Sequence, residues 1–167
     1  MPWGRKLERA LHCVFSALAV VWILFGLLLV VICCSGPAVS AELRPGELEI
    51  MARIVQAEAT GEPAAGARAV AWTMLNRLRA DGYGKTLTRV VLAPYQYAKP
   101  APLVDNSAAY LRALLATVQA VLGEGGDPGR GATHFVRCDH RPQPEWARVF
   151  VRTAEIGRHC FYREKAK

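Results

Sequence analysis

Residues 42–167 contain no internal repeat and no low-complexity tail, and the chain is short of acid. Its 14 Asp and Glu stand against 21 Lys and Arg, a formal charge of +7. With about forty residues set aside as a targeting segment, roughly 125 remain, enough for one compact domain and too few for a second. Removing three basic residues (Arg5, Lys6, Arg9) and one acidic residue (Glu8) from the count leaves that domain at +5. Such a surface favours an anionic polymer without choosing among nucleic acid, acidic lipid and wall polymer. Cysteine is scarce beyond the N-terminal run. Cys13, Cys33 and Cys34 lie inside it or at its end, where a thiol behaves as a small hydrophobe. Val31, Ile32 and Cys33 are not the small residues that lipid attachment at Cys34 would need.

Charge is missing altogether from residues 10–34, ALHCVFSALAVVWILFGLLLVVICC. At about 1.5 Å per residue this stretch exceeds the roughly 30 Å of bilayer hydrocarbon, so membrane contact is expected through residues 10–34. Arg5, Lys6 and Arg9 precede it, whereas Glu42, Glu47 and Glu49 outnumber Arg44 after it. The positive end stays in the cytoplasm and residues 42 onward are exported. Val39, Ser40 and Ala41, behind Gly36 and Pro37, also form a small-residue cleavage site. Residues 1–41 are therefore either a retained signal anchor or a signal peptide cleaved after Ala41, and residues 42–167 are the exported domain.

The hydrophobic pattern predicts a mainly helical α+β domain. Leu48, Met51, Ile54 and Val55 recur at helical spacing over Glu47 to Ala59. Gly61 and Pro63 end that helix and open a second, with Ala67, Val70, Ala71, Met74, Leu75 and Leu78 on one stripe. Asp81 to Gly84 reads as a loop, Thr86 to Leu92 as a short apolar element, and Tyr95 to Pro102 as an aromatic, proline-bearing loop. A third helix runs from about Ser107 to Leu122 and closes at the Gly-rich run 123–131. Ala132 to Arg137 and Ile156 to Tyr162 are expected to pair as an antiparallel ribbon across the turn-rich HRPQPEW.

One carboxylate falls on an apolar helix face. Glu58 lies seven residues from Met51, about 700° at about 100° per residue, and so within about 20° of its direction. A carboxyl group on an apolar face loses solvation for its charged form, the condition under which it donates a proton near neutral pH. By pattern alone a solvated Glu at a helix end fits equally. The wider context decides for chemistry. The stretch ARIVQAEATGEPAAGARAVAWTMLNRL at residues 52–78 resembles the opening of the SleB/CwlJ cell-wall hydrolase family. There a Glu-x-x-Gly-Glu-Pro element joins a first helix to an Ala-rich second helix ending in Asn-Arg. In this chain those residues are Glu58, Gly61, Glu62, Pro63, Asn76 and Arg77. Tyr95-Gln96-Tyr97, DPGRGATHF at 127–135 and EIGRHCFYR at 155–163 follow in the family's order. Arg137-Cys138, where the family often has Asn-Pro, and Arg130 within the glycine run depart from it.

The resemblance implies a lysozyme-like fold of the lytic transglycosylase type with a small antiparallel β element, and it places the catalytic glutamate at Glu58. The implied substrate is peptidoglycan. One acid suffices if it protonates the oxygen between N-acetylmuramic acid and N-acetylglucosamine, then takes the proton of the muramic 6-hydroxyl. Hydrolysis would call for a second carboxylate, with Glu62, Asp105 and Asp139 as candidates. Glu62 also suits the start of the second helix, where the dipole favours an acid. Gln96 and Tyr97 are candidates to line a sugar groove, although Tyr97 also fits the core. Thr133 and His134 are supporting candidates, and ordinary hydrogen bonding competes with proton transfer for His134 and His159.

Cys138 and Cys160 can pair in an oxidising compartment, closing a loop worth about 3 kcal/mol. Zinc at Cys138, His140, His159 and Cys160 is disfavoured because adjacent strand residues point to opposite faces. No metal and no cofactor is expected, and no obligate protein partner is evident. Nucleic acid is set aside because the basic residues are scattered and the domain is exported. A non-catalytic wall-binding module on the same fold is the alternative reading. Bacterial wall remodelling and phage-mediated host lysis both fit, and nothing in the sequence indicates sporulation.

Overall fold

The computed structural model describes Trp22, residues 43–44, 46–102 and 107–165. The expected span at residues 10–34 lies outside the described residues apart from Trp22, as does Asp105. Among the described residues no helix is long and apolar enough to cross a membrane. Within the unit Ala38–Lys167 the chain forms α1 (Glu47–Ala59), α2 (Ala64–Arg79), α3 (Leu87–Val91) and α4 (Ala108–Leu122). These are followed by β1 (His134–Arg137), α5 (Glu145–Val149), β2 (Val151–Ile156) and β3 (His159–Arg163).

The helices form where apolar spacing and end signals agree. Met51, Ile54 and Val55 of α1 are buried against Val70, Met74 and Leu75 of α2, and both helices pack on α4. The α4 contact is made by alanines, with Ala113, Ala116 and Ala120 buried. Small side chains let the helix backbones approach closely and bring the polar rims of α1 and α4 together. The Ser107 hydroxyl accepts the Tyr110 N–H (3.1 Å) to start α4, and Gly123 ends it with φ 74°. Glu47 is buried at the start of α1. Its carboxylate accepts the Arg44 N–H (2.8 Å), the Thr88 N–H (3.0 Å) and the Thr88 hydroxyl (2.8 Å), which ties α1 to α3.

The expected antiparallel pairing is present as β1 with β3, and a third strand enlarges the ribbon to a sheet. Its strand order is β1-β3-β2, and the central strand β3 pairs antiparallel with both neighbours. Val151–Ile156 supplies an additional edge strand, with an irregularity between Arg152 and Ala154. Trp146, inside the stretch read as turn, belongs to the short helix α5. Four of the five residues of β3 are buried because both of its faces are covered. Phe161 enters the helical core beside Phe135, whereas Tyr162 meets Trp146 edge-on with ring centroids 5.4 Å apart. Side-chain alternation is intact, and coverage on both sides conceals it in the burial pattern.

Candidate active site

Glu58 is carried by the last turn of α1, and the burial of Met51, Ile54 and Val55 fixes the rotation of that helix. The side chain is half-buried. Its Oε1 accepts the Ala98 N–H at 2.5 Å, and among the described residues no hydrogen bond reaches Oε2. The loop that delivers Ala98 turns at Tyr95, a fully exposed residue with φ 61°. A non-glycine residue in the left-handed region is sparsely populated and persists only where surrounding contacts impose it. Further on, the Ala101 N–H donates to the Arg53 carbonyl (3.2 Å), which lays the loop along α1. Gln96 is exposed on this loop.

Tyr97 turns inward. Its ring packs on the core, its hydroxyl shares a hydrogen bond with the Thr73 hydroxyl (3.1 Å), and the Arg77 guanidinium lies 4.7 Å from its ring centroid. Burial pushes its phenol up to about 12, against the opposing influence of Arg77 and Thr73. Of the two residues assigned to the sugar groove, Gln96 is open to a ligand and Tyr97 supports the loop from below.

Glu62 lies in the turn between α1 and α2 and has a structural partner far along the chain. Its side chain is only 2 % exposed, and both oxygens are engaged by one residue 96 positions away. The Arg158 N–H donates to Oε2 (2.9 Å) and its Nε to Oε1 (3.0 Å). Burial would raise the Glu62 pKa, but these two hydrogen bonds, with the charges of His159 and Arg158, outweigh it and hold the carboxyl below its ordinary value. The N-cap of α2 is Pro63, with no side-chain cap, so Glu62 acts as a clamp to the β2–β3 hairpin rather than as a cap. Gly157 makes the clamp possible. It has φ 58°, and a Cβ there would collide with Glu62 Oε2 and lie 2.7 Å from Pro63 Cδ.

His159 completes the group. It is 7 % exposed, its Nδ1 lies 4.0 Å from Glu62 Oε1, and that nitrogen has no hydrogen-bond partner. Burial lowers its pKa against the opposing fields of Glu62 and then Glu58. Glu58, Glu62, Arg158 and His159 therefore form one electrostatic cluster where α1, α2 and β3 meet. Asp139 is outside it. It is exposed and bonded to Arg137 at 2.9 and 2.7 Å, and chiefly this hydrogen bonding holds its carboxyl down to about 2.

Thr133 and His134 belong to the framework. The Arg77 Nε donates to the Thr133 carbonyl (2.6 Å), and the Thr133 hydroxyl meets His134 Nδ1 (3.0 Å). The His134 ring is surrounded by Tyr83, Trp146 and Phe150. Burial and then the Arg77 charge push it down to about 4, so it is a neutral ring near pH 7 rather than a proton carrier. Asp127 shapes the preceding loop. Its carboxylate accepts the Gly129 and Gly131 N–H groups, each at 2.7 Å, and the Asn76 amide at 2.9 Å. A disulfide joins Cys138 to Cys160, next to His159. Sequence reasoning missed Ala98 and Arg158 as site partners and Asp127 as the loop's organiser. Asn76, Arg77 and Arg158 stood in the quoted motifs, but separations of 51 to 96 residues leave no periodic signal of what they touch.

A sequence profile described as Cell Wall Hydrolase matches residues 61–162, a span that opens three residues after Glu58. A spore cortex-lytic enzyme of Halalkalibacterium halodurans is 30% identical over 126 residues, covering 74% of this chain and 36% of that protein. One of Bacillus subtilis is 28% identical over 131 residues, covering 74% and 41%. The chain thus spans well under half the length of these curated relatives. Among solved structures, the catalytic domain of the germination-specific lytic transglycosylase SleB from Bacillus anthracis matches with TM-score 0.62 and 26% identity. The match covers 72% of this chain and 96% of that one.

Proposed function

Because the chain belongs to the cell wall hydrolase family, we propose that it is a peptidoglycan-degrading glycosidase whose catalytic acid is Glu58, on a lysozyme-like domain. The observation that carries this reading is the asymmetry between the two carboxylates of the site. Glu58 is held through one oxygen by a backbone N–H and keeps the other free, whereas both oxygens of Glu62 are engaged by Arg158. A reacting group must keep a free atom for the substrate, and only Glu58 does.

In this mechanism Glu58 gives its proton to the oxygen linking N-acetylmuramic acid to N-acetylglucosamine as the bond from the muramic C1 breaks. The carboxylate then takes the proton of the muramic 6-hydroxyl, whose oxygen bonds to C1 and closes a 1,6-anhydro ring. Direct hydrolysis would require a second carboxylate to activate water. The engagement of Glu62 by Arg158 therefore favours transglycosylation. Gln96, exposed on the loop whose Ala98 holds Glu58, offers an amide to sugar hydroxyls. The apolar residues 10–34 would hold the domain at the outer face of the membrane, or release it after cleavage near Ala41. Wall remodelling and phage-mediated lysis both use such a placement.

The test compares the full chain with Glu58→Gln on purified sacculi. Loss of at least about 100-fold in turnover is expected, with an unchanged circular dichroism spectrum and with muropeptides carrying 1,6-anhydro ends by mass spectrometry. Equal clearing by the variant would overturn the assignment of Glu58. Reducing ends would replace transglycosylation by hydrolysis. Wall binding without clearing by either protein would favour a non-catalytic module.

A further inference from the structure

A groove of about 300 Å³ lies between the end of α1, the start of α2 and α4. It shares Thr60, Gly61 and Glu62 with the active-site turn, and Glu58 is not part of its wall. Its floor is made of the buried alanines Ala59, Ala67, Ala113 and Ala116. Methyl-sized side chains there leave room for something small and apolar.

The rim is polar and incompletely satisfied. Gln56 places Oε1 in a buried position with no hydrogen-bond donor, an arrangement that leaves a buried acceptor unpaired at a cost to the protein. Arg112 is exposed on the opposite rim and forms no ion pair among the described residues. Gln119 adds a second amide. The complementary ligand carries an N–H for Gln56, a carboxylate for Arg112 and small apolar groups for the alanine floor. A strand stripped of its peptides brings to Arg112 only the lactyl carboxylate of muramic acid, with no backbone amide and no alanyl methyl beside it. The short peptides attached to muramic acid bring all three features, namely backbone amides, alanyl methyls and free carboxylates. They also branch from the sugar that the turn beside Glu58 would hold.

We infer that this groove is a binding site for the peptide stem of peptidoglycan, with Arg112 receiving a stem carboxylate and Gln56 a stem amide. The inference rests on the glycosidase reading, to which it adds a specificity determinant. The enzyme selects strands that still carry their stems, and the groove anchors the strand while Glu58 works.

The test uses the full chain and Arg112→Glu with two substrates, peptide-bearing strands and strands stripped of peptide by an amidase, together with titration of a free stem tetrapeptide. The wild type is expected to favour peptide-bearing strands. Charge reversal at Arg112 is expected to lower the ratio of kcat/KM for the two substrates about tenfold and to remove the calorimetric signal of the free peptide. An unchanged ratio, or peptide binding of equal strength by both proteins, would overturn the inference. So would self-association of the protein through this groove, detected as an Arg112-dependent dimer in sedimentation. If the wild type cleaves neither substrate, the glycosidase reading fails separately, and the peptide titration still decides the groove.

Discussion

His134 and Glu62 tie the stability of the domain to pH at two different points. The native His134 pKa of about 4 lies below the ordinary value of 6.5. The unfolded chain therefore binds the proton more readily, and stability is full above about 6.5 and falls as pH drops toward 4. The whole difference amounts to at most about 3 kcal/mol. The Glu62 carboxyl is also lowered, from 4.5. Its contribution is complete above 4.5 and disappears at still lower pH, as the carboxylate that holds Arg158 is protonated. Urea unfolding at pH 7, 6 and 5 is expected to show a steady loss of stability, and His134→Phe, which keeps an aromatic ring among Tyr83, Trp146 and Phe150, is expected to flatten that slope. Glu58 illustrates how much of a site is visible at this scale. Helical spacing aligns it with Met51, because an α-helix repeats every few residues whatever it packs against, yet Met51 is fully buried and Glu58 only half-buried. The Ala98 N–H that holds it comes from a loop forty residues on, and no local rule reports such a meeting.

Among the elements, the β2–β3 hairpin carries the largest consequence for the site. Its turn residue Gly157 lets the hairpin approach Pro63 and Glu62 so closely that no side chain fits. Gly157→Ala would push the hairpin off the start of α2, break the clamp at Arg158 and displace His159, which follows directly in β3. Unfavourable φ and a forced contact together are expected to cost about 2–4 kcal/mol, read as a lower urea midpoint, with a loss of clearing activity at temperatures where the variant remains folded. The longer helices were legible because each presents several apolar repeats and an end signal, as α4 does between Ser107 and Gly123. Strand β2 was not. Val151–Ile156 is an edge strand with an irregular register, its burial does not alternate, and pairing with β3 defines it. Helix α5 has five residues and none of them buried, so its amphipathic signal is too short to read.

At the scale of the whole molecule, the Cys138–Cys160 link spans 22 positions and joins the residue that follows β1 to the central strand β3. Closing such a loop restricts the unfolded chain by about 3 kcal/mol. Replacing both cysteines by alanine is expected to lower the melting temperature by roughly 10 °C for a domain of this size, and calorimetry with and without reductant checks it, since reductant should shift the wild type and not the double variant. The sequence by itself determined what depends on near neighbours: the charge balance, the apolar run, the three long helices and the ordered motifs of a cell wall hydrolase. Tertiary structure alone decided what depends on distant partners: that Arg158 occupies Glu62, that Tyr97 packs inward against Thr73 and Arg77, that His134 sits neutral among aromatic rings, and that a groove opens beside the turn between α1 and α2. The physical reason is that helix formation and burial preference repeat along the chain and leave a period, whereas an ion pair or a groove is a single coincidence of residues brought together by packing.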